Sequence, residues 1–288
     1  MDVPQRRRPS LSAIVTTFNE EHNIGDCLRS LEWCDEVMVV DSYSTDRTVE
    51  IVRQFLAVQL YQRTYHGSAA QKNWAIERAT HDWILIFDAD ERCTPELKAE
   101  IEGVLEGDPQ YDNYTIRRRV YFLGKKIRFS GWQHDEVVRL FRKGKAYYPN
   151  RRVHADMITS GPAPRLKNPL DHYMVYDLAE YIQRLTKYGI WGAAQRYREG
   201  RRSGILEFVG RPIWRFVRTY ILQLGILDGY HGLIFCAMQA YSTFVKWSVL
   251  WSWQVLAALG RQPSLPSFDE SEETWAGVEA LLETRDEA

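Results

Sequence analysis

Residues 83–90 read Trp83-Ile84-Leu85-Ile86-Phe87-Asp88-Ala89-Asp90, an apolar run that stops abruptly at two carboxylates one residue apart. A run this short with no polar interruption reads as a strand buried on both faces, which requires covering layers on both sides. Two similar runs precede it, residues 11–16 and Val37-Met38-Val39-Val40, the second ending in Asp41. Between them Ile24, Cys27, Leu28 and Leu31, and then Val49, Val52, Phe55 and Leu56, recur at helical spacing. A further helix is expected over 69–79, and Thr94-Pro95 offers an N-cap with proline at the first helical position. Strand and helix alternating in this way predict an α/β fold with a mostly parallel central sheet. In such sheets the ligand crevice lies outside the carboxyl ends of the strands, so Asp88 and Asp90 should face a site.

Carboxylate oxygens are hard ligands that suit Mg²⁺ or Mn²⁺, ions that bind through one or two carboxylates plus substrate phosphates. A metal-held phosphate ester is therefore the expected ligand, and a strand ending in a solvated turn is the alternative. Neither a Gly-x-Gly-x-x-Gly turn nor a phosphate-binding Gly-x-x-x-x-Gly-Lys-Ser/Thr loop occurs, which argues against a dinucleotide fold and a P-loop. The formal net charge of −1 gives no electrostatic case for nucleic acid. Cys27, Cys34, Cys93 and Cys236 show no metal-ligand spacing and fit free thiols in a reducing compartment. Arg6-Arg7-Arg8 is followed by no apolar run before Leu11, so no secretory signal is expected and the reading is cytoplasmic.

From Tyr111 to about Asp156 the pattern changes to short, basic, aromatic-rich runs that look like antiparallel strands. Beyond residues 160–169 the chain turns helical. Over 211–224, Ile213, Phe216, Val217, Tyr220, Ile221 and Leu224 share one helical face and Arg211, Arg215 and Arg218 the other, which reads as a basic amphipathic helix. Residues 229–245 contain no Asp, Glu, Lys or Arg, but the run is slightly short for a membrane span and is interrupted by His231 and Gly232. An arginine-faced, aromatic-rich helical region suits a membrane interface; packing on the rest of the chain or on another subunit is the alternative. The expected organisation is a domain over 9–160, a helical region over 161–260 and an acidic tail over 261–288.

Thr17-Phe18-Asn19-Glu20-Glu21 after a strand, Asp41, Gln71-Lys72-Asn73, Asp88-Ala89-Asp90, Val138-Arg139-Leu140-Phe141-Arg142, Val153-His154 and His172-Tyr173 occur here in one order. Together they resemble the family 2 glycosyltransferases, which have a GT-A fold, and within them the bacterial lipopolysaccharide core β-1,4-glucosyltransferases. The resemblance implies a nucleotide-sugar half over 9–100, an acceptor half over 101–160 and C-terminal amphipathic helices. It implies a UDP-sugar donor, with UDP-glucose first, and a glycan or glycolipid acceptor met at the cytoplasmic face of a membrane by a peripheral enzyme. Thr17, Asn19, Glu20 and Asp41 would hold uracil and ribose, Lys72 would lie near the diphosphate, and Asp88 and Ala89 near the ribose. Asp90 would be the direct ligand of a divalent metal, with Asp88 assisting and His154 a further candidate. Relatives often carry Val-His-Glu where this chain has Val153-His154-Ala155-Asp156, which leaves an acidic role there in doubt.

Inverting displacement at an anomeric carbon needs a base for the acceptor hydroxyl, and Asp135, with Glu136 close behind, is the expected one. Arg139 and Arg142 could each grip a phosphate, but strand alternation lets at most one of them face the site. Two rivals remain: a non-catalytic nucleotide-sugar binding or scaffold protein of the same fold, and a nucleotidyltransferase. The second is disfavoured because Thr17-Phe18-Asn19-Glu20 lacks the glycine-rich, basic character suited to a triphosphate.

Overall fold

The computed structural model describes residues 8–107, 109–149 and 156–266. Two compact units form: one takes the chain up to Arg119 and again over Asp135–His172, the other takes Val120–His134 and the chain from Tyr173.

The first unit holds the predicted alternation. β1 (Leu11–Thr17), α1 (Ile24–Arg29), β2 (Glu36–Asp41), α2 (Thr48–Val52), β3 (Val58–Gln62), α3 (Ser68–Arg78) and β4 (Trp83–Asp88) follow in order, then β5 (Glu91–Arg92) and α4 (Pro95–Glu106). β1 is parallel to β2 on one side and to β4 on the other, and β2 is parallel to β3. The chain therefore reverses its winding direction between β1 and β4, the switch point at which such sheets open a ligand crevice. Past β4 the sheet becomes antiparallel, with β8 (Glu136–Arg142) against β4 and β6 (Asn113–Phe122) against β8. β11 (Leu170–Val175) then pairs with β5 through Asp171 opposite Arg92 and His172 opposite Glu91. The expected α/β architecture is present.

Alternation along the strands sorts the core into two layers. Leu11, Ala13, Val15, Val39, Leu85 and Phe87 pack with α1 and α4 residues such as Leu28 and Leu97. Ile14, Met38, Val40, Ile84, Ile86 and Phe141 point the other way, against Ala69, Ala75 and Ile76 of α3. Thr94 caps α4 as the sequence predicts, its hydroxyl accepting from Leu97 N at 3.2 Å.

The second unit includes the hairpin that β7 (Lys125–Lys126) makes with the end of β6, and the helices α5 (Leu178–Arg198), α6 (Arg211–Phe216) and α7 (Gly229–Ala258). The short strands β9 (Ala146–Tyr147) and β10 (Ile158–Thr159) pair in the first unit. α5 and α7 pack closely because Gly189 has no side chain: a Cβ there would stand 2.8 Å from Val245 Cγ1. Two helical expectations need correction. Residues 211–224 are not one regular helix, since α6 is flanked by wider π-type turns over Leu206–Gly210 and Val217–Leu222. Nor is 229–245 interrupted, because α7 runs unbroken through His231 and Gly232 for 30 residues. Gly232 is tolerated because contact requires it: a Cβ there would lie 2.0 Å from the Gly225 carbonyl oxygen, more than offsetting a helix-propensity cost of about 1 kcal/mol. By length and composition alone, Gly225–Ala258 is long and apolar enough to cross a membrane.

Candidate active site

The site lies in the first unit, at the carboxyl ends of β1, β2 and β4. Ile84, Ile86 and Asp88 share one face of β4, so the layer that buries the two isoleucines under α3 also brings Asp88 under α3. Lys72 of α3 meets it there, Nζ to Oδ1 at 2.7 Å, and Thr16 Oγ1 of β1 donates to the same oxygen at 3.1 Å. The other oxygen accepts from Arg139 Nη2 at 2.6 Å.

Arg139 reaches this spot through a β-bulge. Tyr114 pairs with Leu140 and Thr115 with Val138, so Arg139 is the extra residue on β8. The residue is 2 % exposed, and its guanidinium bridges Asp88 and Glu91, the latter also at 2.6 Å. Arg142 is exposed and pairs with Asp112 at 3.4 Å. Glu91, fully buried, also accepts from the Asp88 amide at 3.0 Å and has Arg118 Nη1 at 3.8 Å. Arg118 in turn holds Asp135 bidentately, with both contacts at 2.8 Å. Lys72, Asp88, Arg139, Glu91, Arg118 and Asp135 thus form one continuous line of alternating charge.

The line sets protonation. Burial raises the Asp88 carboxyl, but Lys72 and Arg139 outweigh it and hold the group well below the usual carboxylate range. Burial likewise pulls Arg139 down, and Glu91 and Asp88 more than reverse it. Asp90 stands in the turn after β4 and faces His172 of β11, Oδ2 to Nε2 at 3.2 Å. Burial lowers the His172 pKa, but Asp90 overcomes it and raises it above the ordinary histidine value. His172 Nδ1 is buried and has no hydrogen-bond partner among the described residues.

The nucleotide-side candidates lie on two interlocked loops. Asn19, at φ 52°, donates from its amide to Ser44 Oγ and accepts from Thr45 N, each at 2.8 Å. Glu20 accepts from Asn23 Nδ2 at 2.7 Å, and its carbonyl takes the first amides of α1. Asp41 is fully buried and accepts from Ser44 N and from Gln62 Nε2, each at 3.1 Å. Thr17 Oγ1 beside it is buried with no partner among the described residues, and the Ala89 amide closes on the Thr16 carbonyl at 3.2 Å. Glu136 lies on a more open part of β8 and binds Arg165 at 2.6 Å. His154 falls outside the described residues.

Structure therefore brings Lys72, Asp88, Asp90, Arg139 and Asp135 into one connected neighbourhood. Sequence reasoning passed over Glu91, Arg118 and the pairing of His172 with Asp90. Glu91 stands directly after Asp90 and could have been noticed as a third acid on one strand end; nothing local marks Arg118. Among the described residues no cluster of three or more His, Cys, Asp or Glu is poised for a metal. The Asp90 and His172 pair still fits a divalent ion whose remaining ligands come from phosphates. Neighbouring ligands of an octahedral ion with bonds of about 2.1 Å stand about 3.0 Å apart, near the observed 3.2 Å.

Comparison with known proteins gives concordant results. The family model described as Glycosyl transferase family 2 matches residues 12–174. The lipopolysaccharide core biosynthesis glycosyltransferase LpsC of Rhizobium meliloti is 29% identical over 246 residues, covering 82% of this chain and 91% of that protein. The glycosyltransferase SunS of Bacillus subtilis is 33% identical over 146 residues, 44% of this chain and 35% of its own length. Among solved structures, Staphylococcus aureus TarS 1-349 in complex with UDP-GlcNAc matches with a TM-score of 0.46 and 15% identity, covering 88% of this chain and 92% of that chain.

Proposed function

The chain belongs to glycosyl transferase family 2, and from that premise we propose that it is an inverting, metal-dependent hexosyltransferase carrying glucose from UDP-glucose to a lipopolysaccharide-core or other lipid-linked glycan acceptor. The observation that carries this reading is the convergence of Asp88, Asp90, Lys72 and Arg139 on the switch point of the sheet. The lipopolysaccharide part of the reading draws on the name of LpsC, which matches most of both chains.

Asp41 and Glu20 accept hydrogen bonds from uracil or ribose, Thr17 offers its unpartnered hydroxyl, and Asn19 keeps the two loops together. Asp88, already neutralised by Lys72 and Arg139, orients the ribose side with the Ala89 segment, and Lys72 lies at the edge toward the diphosphate. Asp90 and His172 would hold a Mg²⁺ or Mn²⁺ ion, which supplies Lewis-acid neutralisation of the leaving diphosphate. Asp135 takes the proton from the acceptor hydroxyl as it attacks the anomeric carbon, with Glu136 the second candidate. Arg118 fixes the direction of the Asp135 carboxylate, and lone pairs not used by the guanidinium remain to accept the proton. The exposed Ile213 and Trp214 on α6 suit an enzyme working peripherally at the cytoplasmic membrane face.

Calorimetric titration of UDP, with GDP as control, with and without Mn²⁺, tests the donor site on the wild-type protein and on Asp90→Ala. Metal-dependent, uracil-selective binding that disappears in Asp90→Ala is expected. Binding of neither nucleotide by folded protein would sink the enzymatic reading in favour of the scaffold alternative.

A further inference from the structure

In the second unit, four cationic side chains from α5, α6 and α7 lie close enough to act on one another, two of them over one indole. The guanidinium carbon of Arg196 lies 5.3 Å from the Trp247 ring centroid, and that of Arg211 lies 4.6 Å from the same ring. Lys246 lies along α5 where Gly192 leaves room: a Cβ at Gly192 would be 3.1 Å from Lys246 Cδ and 3.8 Å from Arg196 Nη1. Arg215 completes the group, Nη2 donating to Gln239 Oε1 at 3.2 Å, while its buried Nε finds no partner among the described residues. Among the described residues Arg196 donates to the Gly192 carbonyl alone, at 3.2 Å. Among the described residues no carboxylate pairs with any of the four, and the charged neighbours that act on Lys246 are Arg196, Arg215 and Arg211.

Such a cluster opposes folding: like charges repel, and burial strips water from Lys246 and Arg215. Burial first, and the three arginines after it, push the Lys246 ammonium down to about 8. Stacking on Trp247 offsets part of the desolvation but none of the repulsion. What the described residues do not supply to this cluster is an anion. Phosphate oxygens match both guanidinium forks and an ammonium point charge. The adjoining helical segment determines where that phosphate comes from. Leu206 is 75% exposed, Ile213 59% and Trp214 58%, so Arg211 and Arg215 stand on the same stretch as apolar side chains turned to the outside. A free phosphate would use only the cations, whereas a lipid headgroup with its chains uses both.

We propose that Arg196 and Arg211, stacked on Trp247, form together with the neighbouring Arg215 and Lys246 a binding site for the phosphate of an anionic phospholipid headgroup. The proposal rests on the reading that the enzyme works at a membrane surface, and assigns that contact to one built site instead of diffuse charge. It concerns the second unit only and is independent of the donor site.

The test is cosedimentation of the full chain with vesicles of phosphatidylcholine alone and of phosphatidylcholine with phosphatidylglycerol, at low and at physiological salt. The double variant Arg211→Gln/Lys246→Gln is compared with Arg202→Gln/Arg261→Gln, which removes the same charge from exposed positions outside the cluster. Expected are binding to the anionic vesicles only, a loss of about 25-fold in the first variant, from roughly five-fold per basic residue, and less than about three-fold in the second. Thermal melting runs alongside: because repulsion is relieved, the first variant should melt no lower than wild type, which separates lost binding from lost folding. Equal weakening of both variants would overturn the site while leaving membrane association standing. Competition by millimolar inorganic phosphate that abolishes binding at constant ionic strength would overturn the lipid assignment. No binding of wild type to either vesicle would overturn the site together with the membrane-surface reading, and the UDP titration would be unaffected.

Discussion

Replacing Arg139 by Gln removes the cation that two buried carboxylates share. Arg139 Nη2 lies 2.6 Å from both Asp88 and Glu91, and the side chain is 3% exposed. After the change Asp88 keeps Lys72, but Glu91, fully buried, keeps among the described residues Arg118 at 3.8 Å and the Asp88 amide. Removing one partner of a buried ion pair leaves an uncompensated charge and costs about 3–5 kcal/mol. At about 2–4 °C per kcal/mol for a chain of this size class, the melting temperature should drop by about 6–20 °C. Arg142→Gln is the matched control on the same strand. Its pair with Asp112 is 3.4 Å long and exposed on both sides, so the loss should be at most about 1 kcal/mol. The pH dependence has a definite sign. The folded-state pKa of Asp88 is depressed, so its contribution is present above the unfolded value of about 3.9 and is lost as the pH falls toward the folded value. In Arg139→Gln that depression shrinks, so the gap between variant and wild type should hold from neutral pH down to about pH 4 and narrow as the pH falls below it. Differential scanning calorimetry of both variants at several pH values reads all of this. Equal small shifts in Arg139→Gln and Arg142→Gln, or a gap that widens on acidification, would refute the reasoning.

Three other outcomes are expected. Asp135→Asn should lower kcat by about 10²–10⁴-fold while leaving UDP binding intact, whereas Glu136→Gln should stay within a few-fold of wild type; steady-state kinetics with UDP-glucose and a core-glycan acceptor would reveal the reverse order if Glu136 were the base. Gly189→Ala should destabilise by about 1–3 kcal/mol through overpacking against Val245, while Gly103→Ala, with open space around its Cβ in α4, should stabilise by about 0.5–1 kcal/mol; urea denaturation distinguishes the two. Lys246 has a folded-state pKa lowered to about 8, so the unfolded chain binds more protons between there and about 10.4, and stability should rise with pH across that window. Lys246→Met should flatten that rise in melting curves taken from pH 7 to 10.

Local pattern was enough to specify the parallel half of the fold. The runs ending at Thr17, Asp41 and Asp88 are apolar on both faces, and only a sheet covered by helices on both sides removes both faces from water. That fact alone also assigned Asp41, Asp88 and Asp90 to the carboxyl ends of strands. Alternation along the strand likewise stated that Arg139 and Arg142 could not both face one site. Choosing between them required β8 to be set beside β4 and β6, because the bulge that delivers Arg139 is a mismatch in pairing and exists only once two strands have a register. Arg118 and the pairing of His172 with Asp90 were hidden for the same reason: the partners are distant along the chain, and the field that shifts Asp88 or His172 is a sum over groups that meet only in three dimensions. The arginines of α6 show the limit from the other side. Helical periodicity set them on a polar face, yet Arg215 is drawn in against Gln239 while Ile213 and Trp214 remain outside. Sequence by itself determined which residues repeat and with what period; only tertiary structure decided which face of each repeat meets protein, because burial depends on what the neighbouring element leaves uncovered.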